Sequence, residues 1–306
     1  MMRLKRLFSY LKESYLEWQG DDAFRQSAVI AYYSIFSLPG LIIIIVNVAG
    51  IFYEQSKVRG EITNQISSII GPESAQQVQT ILENSTQQGS STIAIIAGIA
   101  TLIFGATGLF YQLQLSLNTV WDVEANPKAG IKKIVIDRAT SLGMILAIGF
   151  LMIVSLLLTA LIGVLRDWIS EMLPPFLLYV FYFANEIVAL GIITVLFALI
   201  YKILPDVQLI WKTVWIGAFV TALLFTLGKF ALGLYFGQTD PASAFGAAGS
   251  LILILLWVNY SGLIFLFGAE FTKIYAQRHQ HPVKVSGHAQ RTAEYRLKHD
   301  QVTAGE

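Results

Sequence analysis

The sequence predicts an all-α membrane protein with six transmembrane helices and both termini in the cytoplasm. Three observations lead to this prediction. Of the 306 residues, 55% are apolar and 13% are charged, whereas a soluble domain has about 25% charged residues. Six stretches are long and apolar enough to cross about 30 Å of hydrocarbon, which takes about 20 helical residues. Lysine and arginine collect in alternate connections, which indicates the orientation.

The six apolar stretches differ in the charges they contain. The first and third have no charged residue, the fourth contains Glu186, the fifth contains Lys229 in its interior, and the sixth has Glu270 near its end. An ionisable group inside a bilayer costs about 2.5–3.5 kcal/mol on insertion scales, so each one needs an explanation. The predicted spans are residues 28–53, 92–113, 140–165, 175–201, 211–236 and 247–275, within a transmembrane domain of residues 25–276.

The basic residues are distributed unevenly between the two sides of the predicted bundle. Of the 21 lysines and arginines, 17 lie in segments on the side of the termini and three lie on the other side, with Lys229 inside a span. Because cytoplasmic connections are enriched in these residues, both termini are predicted to be cytoplasmic.

Three segments outside the spans have patterns of their own. In residues 1–24, apolar residues recur at helical spacing between basic ones, which predicts an amphipathic helix lying in the cytoplasmic membrane interface. Packing on the underside of the protein is the alternative. Residues 54–91 predict two short amphipathic helices that cap the outer face. Residues 277–306 are polar and predict a poorly ordered cytoplasmic tail.

The composition argues against several classes of function. The chain has no cysteine, and its four histidines all follow Arg278, so no histidine is expected in a catalytic or metal site of the transmembrane domain. The sequence has no evident nucleophile–base pair and no GxxxxGK(S/T) phosphate-binding loop. A net charge of +1 gives no reason to expect a nucleic-acid partner. We therefore expect no enzyme, no metal and no cofactor.

Glu186 and Lys229 are the leading candidates for a functional site. Glu186 lies 11 residues after Pro175, about 16 Å into the fourth span, and Lys229 lies 7 residues before Phe236, about 10 Å below the same face. We expect the two side chains to form an ion pair, or to line one polar cavity, in the outer half of the membrane. The alternative is a pair that only holds two helices together.

Three further polar residues complete the candidate intramembrane site, namely Asn185, Asn259 and Glu270. Asn185 adjoins Glu186, and buried amides of this kind commonly join helices. Glu270 and Lys273 would lie near the cytoplasmic mouth of the proposed polar cavity. The alternative is an interfacial salt bridge between the two.

Proline and glycine suggest where helices break or approach closely. Pro39 and Gly40 interrupt the first span, because proline removes a backbone donor and frees a carbonyl one turn earlier. This predicts a broken helix that could present backbone groups to a ligand, with a simple kink as the alternative. Small residues in spans two and five predict tight helix packing. They are Ala94, Ala97, Gly98, Thr101, Gly105, Gly108, Gly217, Ala218, Ala222 and Gly228.

An ordered set of segments between about Phe24 and Ala276 resembles the YihY/BrkB family of bacterial inner-membrane proteins. Residues 28–37, AVIAYYSIFS, resemble the family's AxxAYYxxxS opening, and residues 201–205 fit its Y(R/K)xxP motif. Asn259 departs from the family pattern, which often has tyrosine there. The other matching residues are Pro39, Asn118, Trp121, Gly217, Lys229, Gly233, Tyr235, Phe245, Gly246, Gly249, Leu255, Leu256, Trp257, Gly268, Ala269 and Glu270.

The resemblance implies a six-helix protein of the bacterial cytoplasmic membrane without a settled activity. Some members of the family carry a ribonuclease label, and others are linked to serum resistance or to envelope-lipid export. The scattered carboxylates of the spans argue against a nuclease, because hydrolytic metal sites need clustered ligands.

The leading hypothesis is a transporter or translocation factor for an envelope lipid or another amphiphile, which would have membrane lipids as its partners. The alternative is a non-transporting membrane scaffold for an envelope-assembly complex, which would bind envelope-assembly proteins. The sequence gives no prediction of the oligomeric state.

Overall fold

The computed structural model describes residues 2–49, 92–126, 175–239, 249–293 and 295–297, together with isolated positions between residues 60 and 158. Most of the outer connection and most of the third predicted span lie outside the described residues, so both stay predictions. The described part is mostly helical, as expected. Its helices are α1 (Met2–Gly20), α2 (Ala23–Ala49), α3 (Thr92–Val120), α4 (Pro175–Ile203), α5 (Trp211–Thr239) and α6 (Gly249–Arg278).

Three of these helices are long and apolar enough to cross a membrane. Within the described residues they are Phe183–Ile203 in α4, Trp211–Tyr235 in α5 and Leu251–Arg278 in α6. Apolar residues surround each of them rather than forming one stripe, which is typical of a helix in contact with lipid or buried on all sides. Each of these segments has at least 21 residues, which is enough to cross a bilayer about 30 Å thick.

Helix α2 continues through Pro39 and Gly40 without interruption, from Ala23 to Ala49. The predicted helix break at these two residues is therefore wrong. Proline removes one backbone donor, but its fixed φ of about −65° is compatible with a helix. Just before it, the Ser34 hydroxyl donates to the Ile30 carbonyl at 2.8 Å and the Ser37 hydroxyl donates to the Ser34 carbonyl at 2.9 Å.

Helix α6 lies at the centre of the described bundle. It contacts α1, α2, α3 and α5, while α4 packs against α5 and α3 packs against α2. The close approaches rely on glycine, as predicted. A Cβ on Gly217 of α5 would lie 1.8 Å from Thr272 Oγ1 of α6, and a Cβ on Gly105 of α3 would lie 2.7 Å from the Phe36 carbonyl oxygen of α2. Small residues therefore let these backbones come together.

One end of the bundle, which we name the base, is where α2 and α5 begin and where α3, α4 and α6 end. Two short antiparallel strand pairs close it. Strand β1 (Val123–Ala125) pairs with β4 (Ala289–Arg291), and β2 (Val207–Gln208) pairs with β3 (Lys284–Val285). The expectation of a poorly ordered tail is thus wrong for these residues, because the tail returns to the base and completes both strand pairs.

Helix α1 packs along the second half of α6. The Trp18 indole N–H donates to the Leu263 carbonyl at 3.1 Å, and Glu13 forms an ion pair with Arg278. This is the packing alternative of the sequence analysis. The opposite side of α1 is still apolar in part, with Phe8 71% exposed and Leu16 56% exposed, so contact with a membrane interface by that side stays a prediction.

Candidate functional site

A cluster of charged side chains lies at the base, where three helices meet. Lys273 and Glu270 come from α6, Asp21 from the turn between α1 and α2, and Asp122 from the residues after α3. Glu17, on the last turns of α1, is the fifth member. Each acid other than Glu270 lies near a helix end. A charged group at such a position can contact water, because the apolar part of the helix lies further along.

Lys273 is the centre of this cluster. Its Nζ lies 3.0 Å from Asp122 Oδ2 and 3.4 Å from Glu17 Oε2, and the residue is only 5% exposed. The lysine thereby ties α6 both to α1 and to the end of α3. The predicted salt bridge between Glu270 and Lys273 is absent among the described ion pairs, because the Lys273 ammonium points to the two other acids.

Glu270 is fully buried, and neither of its carboxylate oxygens has a hydrogen-bond donor among the described residues. The Asp21 carboxyl lies within hydrogen-bonding reach of Glu270, and its Oδ2 is also buried without a donor. Burial raises the pKa of Asp21 above its ordinary value of 3.8, against the opposing effects of Glu270 as a hydrogen-bond partner and of the Lys273 charge.

A pocket of about 230 Å³ opens beside this cluster. Lys273 and Asp122 form part of its wall, and Trp121, His281 and Arg291 form other parts. The Arg291 guanidinium donates to the Trp121 carbonyl at 2.7 Å. With cationic, acidic and aromatic groups in one small space, the pocket can accept a polar group of modest size.

Asp206 forms a second buried polar cluster at the base. Its Oδ1 accepts from Gln114 Nε2 at 3.2 Å, and its Oδ2 accepts from Asn118 Nδ2 at 2.9 Å. His288 Nε2 lies 3.0 Å from Asp206 Oδ1. The tail thus brings His288 to Asp206, and it also brings His281 to Thr213.

The arrangement unites two of the motifs in the sequence. Asn118 and Trp121 are among the residues after the second span that resemble the family, and Pro205, just before Asp206, ends the Y(R/K)xxP motif. Asp206 itself was not a candidate. The signal that could have identified it is a lone acid directly after an apolar span and a proline, at the end of the bundle where other polar motif residues also lie.

Glu186 and Lys229 are both half-buried, and no ion pair joins them among the described contacts. They do lie at similar heights on adjacent helices. Glu186 is 17 residues before the end of α4, about 26 Å from the base, and Lys229 is 18 residues after the start of α5, about 27 Å from it. Asn185 is likewise half-buried. The ion-pair form of the hypothesis has no support here, and a shared polar cavity stays a prediction.

Asn259 lies elsewhere and joins two helices. Its Nδ2 donates to Ser27 Oγ at 3.1 Å, which connects α6 to the first turns of α2. Near this contact, a Cβ on Gly262 would lie 3.0 Å from the Ser27 Cβ. Of the predicted site residues, therefore, the structure brings Glu270 into a charged cluster and gives Asn259 a role in helix packing.

No group of three or more histidine, aspartate or glutamate side chains suited to a metal ion occurs among the residues that the structure describes. Asp122 and Glu17 contact Lys273 instead, and Asp206 accepts hydrogen bonds from Gln114 and Asn118. Burial and nearby charges shift the pKa of a carboxyl group. The arrangement can therefore bind protons, and it can bind polar or charged groups.

Comparison with known proteins supports a membrane location. Three relatives are each called a UPF0761 membrane protein. The protein of Saccharophagus degradans is 26% identical over 90% of this chain and 60% of its own length. That of Verminephrobacter eiseniae is 26% identical over 68% of this chain and 47% of its own length. That of Alteromonas mediterranea is 26% identical over 79% of each chain.

The chain thus spans 60% and 47% of the length of the first two relatives. No solved structure matches it. The sequence pattern of the Virulence factor BrkB family matches residues 14–293, which include every helix of the bundle from the second half of α1 onward, and both strand pairs. Because this match covers nearly the whole chain, the protein is a membrane protein that belongs to the Virulence factor BrkB family.

Proposed function

We propose that the protein transports or translocates an envelope lipid or another amphiphile across a bacterial cytoplasmic membrane, without catalysing a covalent reaction. The observation that carries this proposal is the presence of Glu186 and Lys229, both half-buried, on the neighbouring apolar helices α4 and α5. Charged groups inside a bilayer face a polar partner or a wet cavity. Since the two do not pair with each other, a polar path between the helices is the arrangement that would solvate both.

The pocket at the base offers a second polar site along the same bundle. Lys273 and Arg291 supply cationic groups, and Trp121 supplies an aromatic surface. Such a site suits the head group of an amphiphile, whose apolar chains would stay in the surrounding lipid. The lipid itself would then be the principal partner of the protein.

The proposal includes six spans with both termini in the cytoplasm. The chain has no natural cysteine, so single cysteines can report the sidedness of each connection. Gly60 and Gly287 suit this test, because a Cβ at either position meets nothing within 4 Å. In spheroplasts, a membrane-impermeant thiol reagent should label Gly60→Cys and should label Gly287→Cys only after permeabilisation. Labelling of both from the same side would overturn the topology.

Lipid translocation can be tested with the purified protein in vesicles of phosphatidylethanolamine and phosphatidylglycerol. A trace of fluorescent phospholipid is quenched from outside, and the protein should speed the loss of fluorescence from the inner leaflet. Glu186→Gln and Lys229→Gln should each slow this rate about tenfold, the effect of about 1.4 kcal/mol on a barrier. Glu124→Gln is the control, because Glu124 is an exposed acid of β1 at the base.

Two results would contradict the transport proposal. One is a wild-type rate no higher than that of protein-free vesicles. The other is an unchanged rate in Glu186→Gln and Lys229→Gln together with a lower melting temperature, which would make the two residues structural only.

The scaffold is the second candidate, and the exposed apolar side chains near the base favour it. Phe8 and Leu16 on α1 and Phe24 on α2 are each more than half exposed. Replacing Phe8 and Leu16 by serine should release co-purifying envelope-assembly proteins if this surface binds them, with lipid translocation unchanged. Continued co-purification would argue against the scaffold.

A further inference from the structure

The base contains three buried carboxylate oxygens without a donor among the described residues. They are Asp21 Oδ2 and both oxygens of Glu270. Glu270 has no exposed surface at all. A buried carboxylate without donors is strongly unfavourable, and such groups either find a partner or become neutral. The two carboxyl groups lie within hydrogen-bonding reach of each other, yet two carboxylates cannot bond unless one of them carries a proton.

The charges around the pair compensate it only in part. Glu17 from α1 and Asp122 from the end of α3 are also acids, and Lys273 of α6 is the one cation in this group. Its ammonium contacts Asp122 and Glu17 rather than Asp21 or Glu270. The pocket beside the cluster adds His281 and Arg291, and the Arg291 guanidinium bonds to the Trp121 carbonyl. Four acids thus surround one lysine, so the Lys273 charge is shared among them and offsets the charge of the Asp21–Glu270 pair only in part.

We propose that Asp21 and Glu270 form a proton-binding site, in which one proton is shared between the two carboxyl groups at neutral pH and fastens the α1–α2 turn to α6. The proton is taken up from water that reaches the pocket beside Lys273. The carboxyl group that carries the proton donates its O–H to the other carboxyl group. Release of the proton returns it to water and leaves two carboxylates side by side, which repel each other and loosen the turn from α6.

The direction of the Asp21 pKa agrees with this geometry, because burial raises it. The site goes beyond the proposed function and does not depend on it, since it concerns where a proton is held and not what crosses the membrane. The test therefore measures the proton directly, in the purified full-length protein in lipid nanodiscs and without any transport assay.

The experiment compares the wild-type protein with the double variant Asp21→Asn/Glu270→Gln by infrared spectroscopy at pH 7. The wild type should have a C=O stretch of a protonated carboxyl group, and the double variant should lack it. An amide pair can reproduce the geometry of the shared proton, because one amide donates to the carbonyl of the other. The double variant should therefore fold and melt within a few degrees of the wild type. Glu124→Gln is the matched control and should keep the band.

Isotope labelling tests the same site without any substitution. Carbon-13 in the carboxyl groups of aspartate should shift part of the wild-type band, and carbon-13 in those of glutamate should also shift it. The proposal is overturned by absence of the band at pH 7, by its persistence in the double variant, or by failure of the double variant to fold.

A metal cation is the competing occupant of the three oxygens, and melting temperatures can distinguish it. In buffers of equal ionic strength, sodium and N-methylglucamine should give the same melting temperature if a proton occupies the site. A rise specific to sodium that disappears in the double variant would identify a cation site and would overturn the shared proton.

Discussion

Asn118 and Asp206 exchange two hydrogen bonds at the base, and these join the end of α3 to the connection between α4 and α5. The Asn118 side-chain Nδ2 donates to Asp206 Oδ2 at 2.9 Å, and the Asp206 backbone N–H donates to Asn118 Oδ1 at 2.8 Å. Asp206 is 3% exposed and Asn118 is 6% exposed. Because water is largely excluded from both partners, loss of one leaves the other with an uncompensated polar group.

Asn118→Leu should therefore destabilise the protein by about 3 kcal/mol, since it keeps the approximate shape but removes a donor from a buried carboxylate and an acceptor from a buried N–H. The measurement is the free energy of unfolding in mixed micelles. Thr119→Ala is the neighbouring control, because the Thr119 side chain is exposed and bonds only to the carbonyl one turn earlier in the contacts described. Equal losses in the two variants would refute a special role for the Asn118–Asp206 pair.

His288 should hold the returning tail against the base. Its Nε2 lies 3.0 Å from Asp206 Oδ1, and the Ser286 backbone N–H donates to the Asp206 carbonyl at 2.9 Å. His288→Ala removes the first contact, so amide hydrogens of β3 and β4 should exchange about tenfold faster, which corresponds to about 1.4 kcal/mol. Lys284→Ala is the control, because Lys284 is an exposed residue of β3. Unchanged exchange in β3 would mean that strand pairing alone holds the tail.

The positions of the long helices could be predicted from the sequence because the bilayer sets their length. Predicted spans 175–201, 211–236 and 247–275 differ from α4, α5 and α6 by no more than three residues at either end. Small residues likewise indicated close packing, since Gly217 has no room for a Cβ against Thr272. These properties depend on local composition, which a single sequence displays.

The charged cluster could not be predicted in the same way, because it depends on contacts between distant segments. Glu17, Asp21 and Asp122 come from α1, from the turn after it and from the residues after α3, and only the packed bundle brings these acids to one end. The strands that return the tail have two or three residues each, too few for a periodic pattern. Glu270 could be recognised as a candidate from its depth in a span. The predicted salt bridge with Lys273 was wrong, because the Lys273 ammonium contacts Asp122.

Gly217→Ala should destabilise the packing of α5 on α6. Its Cβ would lie 1.8 Å from Thr272 Oγ1 and 2.8 Å from Thr272 Cβ, so the helices must separate. We expect a loss of about 1–3 kcal/mol, typical of an overpacked interior. Gly233→Ala on the same helix is the matched control, because its Cβ meets nothing within 4 Å, and alanine favours a helix over glycine by up to about 1 kcal/mol. Melting temperatures should therefore fall in the first variant and stay equal or rise in the second.

Asp21 should make the stability of the protein depend on pH in a direction opposite to that of most acids. Its pKa in the folded protein is raised above 3.8 by burial, so over the range between these two values the folded state binds more protons than the unfolded state. The contribution of Asp21 to the free energy of unfolding therefore falls as the pH rises from about 3.8 through the folded pKa. Above the folded pKa, this contribution stays constant.

Asp21→Asn removes this titration, and the difference between the two proteins isolates it from the other acids. The melting temperature of the wild type minus that of Asp21→Asn should decrease as the pH rises from 4, and should level off once Asp21 ionises in the folded state. Asp22→Asn is the control, because Asp22 is exposed and pairs with Arg25 at 2.6 Å. A difference that increases with pH for Asp21 would mean that its carboxylate is stabilised in the folded protein, and the charge balance around Lys273 would then have to include a further cation.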